Sequence, residues 1–149
     1  MTGRLLGIDF GASRVGLAIS DPDRIIASPM TTYTRRNLVA DASFFKGLAQ
    51  GERAVALVVG LPVHLNGREG IKAIEARKYG AWLAETTGLP VVFADERFTT
   101  LEAESALWNA GLTHRKRKQR RDSVAAQIML QAYLDAKCPA ETELRALDD

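Results

Sequence analysis

At 149 residues the chain has the size of one domain, long enough to bury about two-thirds of its unfolded surface. Its 46% hydrophobic and 26% charged residues are ordinary for a globule, and no apolar stretch approaches the roughly 20 residues of a membrane span. A net charge of +2 rules out a uniformly basic surface, and the single Cys138 rules out an internal disulfide, which fits a reducing, cytoplasmic setting.

The short apolar run after Arg4 reads as a first strand, Leu5 to Phe10, and not as a secretory signal. Gly11-Ala12-Ser13 reads as a turn and Val15 to Ser20 as the returning strand. Asp21-Pro22-Asp23 turns the chain again, and Arg24 to Ala27 is expected as a short third strand, followed by a connection containing Pro29. From Asn37, the spacing of Leu38, Ala42, Phe45 and Ala49 predicts a helix that closes near Gly51. Ala54 to Val59 is a continuous apolar run, the mark of a strand covered on both faces, and Gly60-Leu61-Pro62 stops it. A loop from His64 to Gly70 carries the turn signal Asn66-Gly67, and a helix is expected from about Gly70 to Thr87. Gly88-Leu89-Pro90 ends that helix before the strand at Val91.

Thr99 and Glu102 have capping-box spacing before a helix face of Ala103, Ala106, Leu107 and Ala110, closed by Gly111. After a basic loop, Ala125, Ile128, Met129 and Ala132 mark a last amphipathic helix that Pro139 ends. The expected organisation is one domain over 1–138 and an acidic tail over 139–149. Cys138 beside Pro139 reads as a half-buried, unreactive thiol. Three meandering strands followed by α/β units predict an α/β fold: a five-stranded mixed sheet with helices on both faces. This resembles the ribonuclease H-like architecture. A doubly wound nucleotide fold does not fit, because the first strand returns as a hairpin instead of entering a helix.

Charge is unevenly placed. Arg115, Lys116, Arg117, Lys118, Arg120 and Arg121 are six of the twenty basic residues, and the remainder carries fourteen bases against eighteen acids. Such a run is either a solvated segment or a local grip on a polyanion. Directly after it stands Asp122, which reads as a helix N-cap or as a functional acid. Asp9 interrupts an apolar strand between Ile8 and Phe10. An acid there is either satisfied by turn amides or in need of a cation. In Asp95-Glu96-Arg97 the two acids alternate to opposite sides of a strand, so one of them can join Asp9, and Arg97 can pair with either. Gly7-x-Asp9-x-Gly11 fails as a dinucleotide loop on spacing and context.

Leu6-Gly7-Ile8-Asp9-Phe10-Gly11 with Arg14 to Asp21 resembles the opening of the YqgF/RuvX family. Val58-Val59-Gly60-Leu61-Pro62, the Asn66-Gly67 loop, Asp95 to Thr100, Asp122 to Gln127 and Leu130 to Asp135 resemble it too, in order, over about residues 4 to 136. The resemblance implies a ribonuclease H-like fold, metal-dependent phosphodiester hydrolysis and maturation of the 5′ end of 16S rRNA. It implies an acidic triad of Asp9, Glu96 and Asp122. Two features depart from the pattern: His64 stands in the loop after Pro62, as a proton-transfer group or as a solvated side chain, and the fourth strand ends without an acid. The fifth-strand Glu96 takes that place.

The mechanism so implied uses Mg2+ or Mn2+, with Asp9 bridging two ions about 4 Å apart and Glu96 and Asp122 completing the oxygen set. Arg115 to Arg121 would hold flanking phosphates, with Arg14 and Arg97 able to reach them as well. Precursor rRNA, alone or in a ribosomal particle, is the expected partner, and no membrane is. Two rivals stand beside this reading. A four-way-junction resolvase acting on branched DNA would use the same acids and need a homodimer rather than a monomer. A non-catalytic nucleic-acid- or ribosome-binding module would keep the basic residues without needing the acids.

Overall fold

The structure is a computed structural model that describes residues 3–62, 70–95 and 114–136, the last segment by backbone alone up to residue 119. Three strands come first: β1 (Arg4–Phe10), β2 (Arg14–Ser20) and β3 (Ala27–Thr34). Helix α1 (Leu38–Gly51), strand β4 (Ala54–Leu61), helix α2 (Ile71–Thr87), strand β5 (Val91–Asp95) and helix α3 (His114–Asp135) follow. The sheet runs β3-β2-β1-β4-β5, antiparallel through the first three strands and parallel from β1 to β4 to β5. This is the mixed, helix-covered sheet expected from the order of patterns. The helix expected after Thr99, the His64 loop and the acidic tail lie outside the described residues.

Strand alternation sorts the core into two layers. Leu6, Ile8, Leu17, Leu57 and Val59 face one side and pack on Phe45 of α1 and Tyr79 and Leu83 of α2. Leu5, Ala18, Val58 and Val92 face the other and pack on Ala126, Met129, Leu130 and Tyr133 of α3. Burying each such Leu, Ile or Phe contributes about 1.5–3 kcal/mol, which is why the β4 run is apolar throughout. Helix α3 lies unusually close to β1 and β2. A Cβ on Gly7 would stand 3.0 Å from Leu130 Cβ, and one on Gly16 would collide with the backbone carbonyl of Asp122. The glycines are there for close approach and not for turns. Further along, Gln131 accepts from the Ala27 N–H (2.8 Å) and donates to the Ile25 carbonyl (2.9 Å), and Gln127 donates to the Ala27 carbonyl (3.2 Å). Those bonds pin α3 to the start of β3.

Several expectations are corrected. The third strand is Ala27–Thr34 rather than Arg24 to Ala27, and it includes Pro29. It tolerates the proline because β3 is an edge strand and Pro29 pairs with Ala18 where the ladder shifts register. Helix α1 begins as expected, with the Asn37 side chain accepting from the Ala40 N–H (2.8 Å). Its buried face, however, runs through Asp41, Phe45 and Ala49, while Leu38 is exposed. Asp41 is tolerated there because it accepts from the Tyr33 hydroxyl (2.6 Å) and the Arg36 N–H (3.0 Å). The Tyr33 hydroxyl is in turn pushed above its ordinary pKa by that bond.

The basic segment is not a loop. Helix α3 starts at His114, so Arg115 to Arg121 form its first turns and Asp122 sits well inside it, not at an N-cap. Arg, Lys and Gln are good helix formers, and such a stretch extends a helix without showing any apolar period.

Candidate active site

The C-terminal ends of β1, β4 and β5 meet at one rim of the sheet, beside the turn into β2. Asp9 is the last residue but one of β1, half-buried, and pairs across the ladder with Gly16. Gly7 faces Leu130, so alternation sends the Asp9 side chain to the α3 side of the sheet. On that same side the backbone of Asp122 rests against Gly16. Paired residues in an antiparallel ladder have Cα atoms only about 4.5–5.5 Å apart. Two acids separated by most of the chain thus flank one glycine.

Arg14, at the start of β2, reaches across the same face, its Nε 3.1 Å from Asp122 Oδ2. Expected as a phosphate contact, it is here the counter-ion of a candidate ligand. Both side chains keep some solvent exposure, 41% and 22%, so the pair is screened and is worth little to stability on its own. Arg120 is exposed and Arg121 half-buried, two residues and one residue before Asp122. The Ser123 hydroxyl donates to the Arg120 carbonyl (3.0 Å), tying down the turn of α3 that carries Asp122.

Asp95 ends β5 opposite Leu61, and alternation from Phe93 places it on the α1–α2 side, away from Asp9. The choice posed by Asp95 and Glu96 therefore falls against Asp95. Glu96, Arg97 and His64 lie outside the described residues, as do the side chains of Arg115, Lys116, Arg117 and Lys118. Among the described residues no cluster of three His, Cys, Asp or Glu is close enough to hold a metal. Asp9 and Asp122 supply hard carboxylate oxygens, which suit Mg2+ or Mn2+ and not a soft ion. They fit such an ion as part of a ligand set that needs at least one further oxygen donor.

One residue was not visible in the sequence as part of this rim. The Arg35 Nη1 donates to the carbonyls of Gly11 (3.2 Å) and Ala12 (3.1 Å), and the Arg35 N–H donates to the Ser13 carbonyl (2.9 Å). Its guanidinium lies over the rings of Phe10 and Tyr79, 5.2 and 5.1 Å from their centroids. Burial pushes the Tyr79 hydroxyl well above the usual range. A cleft of about 410 Å³, lined by Ser13, Thr34, Arg36, Leu38 and Asp41 among others, opens beside Arg35. It lies against α1, whereas Asp9 and Asp122 are on the α3 side of the sheet.

Comparison with known proteins places the chain in a family. A family described as "RuvX: Holliday junction resolvase" matches residues 3–136. A protein of Rhodopirellula baltica named "Putative pre-16S rRNA nuclease" is 49% identical over 135 residues, covering 91% of this chain and 78% of its own. One of the same name from Moorella thermoacetica is 44% identical, covering 89% and 94%. Among solved structures, T. thermophilus RuvC in complex with Holliday junction substrate superposes with a TM-score of 0.54 at 16% identity, covering 91% of this chain and 95% of that one. At that identity the likeness speaks for the fold alone, a five-stranded sheet of the ribonuclease H-like kind.

Proposed function

The chain belongs to the RuvX family, and we propose on that premise that it is a metal-dependent nuclease that processes the 5′ end of pre-16S rRNA in the cytoplasm. One observation carries the reading: Asp9 and Asp122 stand on either side of Gly16, on one face of the sheet rim. Two carboxylates brought to one face beside a single glycine are suited to share a divalent cation.

Asp9, Asp122 and Glu96 would hold Mg2+ or Mn2+. When bound, such ions supply an activated water and a counter-charge for the leaving oxygen. The rest falls to the chain itself. Asp9 is fixed by the β1–β2 ladder and Asp122 by α3, so both oxygens are positioned before substrate arrives. Arg14 orients the Asp122 carboxylate through its ion pair and would be at hand for a substrate phosphate. The basic residues from Arg115 to Arg121 belong to the helical turns that precede Asp122 in α3, and they would bind flanking phosphates without reading bases. Substrate choice then comes from RNA shape or the ribosomal particle.

The direct test incubates the purified chain with precursor rRNA and, separately, with a four-way DNA junction, each with Mn2+ and with a chelator. Cleavage of the RNA alone, lost on chelation, is expected. Cutting of the junction with the RNA left intact would instead favour resolution of branched DNA. Neutralising Arg115, Lys116, Arg117, Lys118, Arg120 and Arg121 is expected to weaken RNA binding and flatten its salt dependence. The slope of log K against log salt should fall by about 0.7 for each phosphate that the helix no longer neutralises. An unchanged slope would remove that helix from the substrate path.

A further inference from the structure

The turn between β1 and β2 is gripped from one side by a single residue. All three of its carbonyls, those of Gly11, Ala12 and Ser13, accept hydrogen bonds from Arg35. A peptide unit is planar and trans, so each C=O points opposite to the N–H that follows it. The two carbonyls drawn to Arg35 Nη1 therefore turn the N–H groups of Ala12 and Ser13 away from the guanidinium. Ala12 and Ser13 are both exposed, and among the described residues neither N–H donates to another backbone group. Gly11 permits the tight path, since a Cβ there would stand 2.5 Å from the Arg14 carbonyl. Arg35 cannot easily swing off, because Phe10 and Tyr79 lie under its plane.

Successive backbone N–H groups presented by a turn form an anion-binding concavity. This turn follows Asp9 directly and leads into Arg14, which bonds Asp122. Ala12 lies three residues from Asp9, so their Cα atoms are at most about 11 Å apart. We propose that the Gly11–Ser13 turn is a cradle for a phosphate oxygen of the substrate strand, formed by the Ala12 and Ser13 N–H groups, with Arg35 as the positioning residue that keeps them outward. The phosphate it takes is the one being broken or its immediate neighbour. The cradle rests on the nuclease reading for its substrate, but its test does not depend on cleavage.

The full-length chain, 15N-labelled, is titrated with a short single-stranded RNA in the presence of chelator, and amide signals are followed by NMR. The Ala12 and Ser13 amide protons are expected to shift together and saturate. Arg35→Ala should remove both shifts and weaken RNA binding about tenfold, the scale of one charge-assisted hydrogen bond. Arg35→Lys should behave like the alanine variant, since an ammonium keeps the charge but cannot lie flat on the two rings while holding two carbonyls. Wild-type signals from Ala12 and Ser13 that stay still throughout the titration overturn the cradle, whether or not RNA binds elsewhere. Full rescue by lysine overturns the role given to Arg35. Should Arg35→Ala fail to fold, the wild-type titration and the lysine variant decide the matter. RNA that engages the turn yet is never cut with Mn2+ would strike the nuclease reading and leave the cradle standing.

Discussion

Asp9→Asn is expected to lower the Mn2+-dependent cleavage rate by at least about 100-fold while leaving the fold intact. Removing the hydrogen-bond partner of a metal ligand already costs about 10- to 100-fold in affinity or activity. Loss of an anionic ligand oxygen itself should cost no less. Asparagine keeps the shape of aspartate and half its acceptors, and Asp9 is only half-buried at a strand end, so the ladder to Gly16 has no reason to open. Thermal stability should therefore stay close to wild type. Initial rates on precursor rRNA across a Mn2+ titration, with a melting curve on the same sample, separate the two effects. A variant that cuts at the parental rate would show that Asp9 is a structural acid, and the nuclease mechanism would fall with it.

Asp9 stood out in the sequence because it interrupts an apolar strand between Ile8 and Phe10, where turn amides or a cation must satisfy it. Gly16 did not. Its importance depends on which helix crosses β2 and at what height, and no local pattern encodes that. Asp122 was found for partly the wrong reason. Hydrophobic periodicity begins at Ala125, so a reading based on period starts the helix there and leaves a charged residue at its cap. The helix in fact begins at His114, because helix propensity alone can carry a polar stretch once the later turns are packed on the sheet. The third strand was misplaced for a related reason. Pro29 looks like a breaker, and it is one in a central strand, but the edge position of β3 was not knowable before the sheet order. Arg35 carried no signal at all. Its neighbours Thr34 and Arg36 belong to no motif, and its role comes from a turn more than twenty positions earlier in the chain.

Gly16→Ala is expected to impair cleavage more than it impairs stability, and the reason lies in where α3 is free to move. The added methyl would meet the Asp122 carbonyl and carbon, which are backbone atoms and cannot rotate aside like the end of a side chain. Overpacking of this kind costs about 1–3 kcal/mol, or several degrees of melting temperature for a domain of this size. The helix cannot simply lift off, because Gln127 and Gln131 bond it to Ala27 and Ile25 and Leu130 packs on Gly7. It must tilt about that pinned end, and the part displaced is the turn bearing Asp122 and its partner Arg14. A misplacement of about 1 Å in a reacting constellation can cost about 100-fold in rate. Gly7→Ala is the matching control. It crowds the same helix against Leu130, 3.0 Å from the new methyl, but at a point two residues back along β1 from Asp9. That variant should lose less stability, because its neighbour is a side chain at the edge of contact and not a backbone carbonyl, and it should keep most of its activity. If instead the two variants lose activity in proportion to their loss of stability, the contact at Gly16 is ordinary packing and does not set the spacing between the two acids.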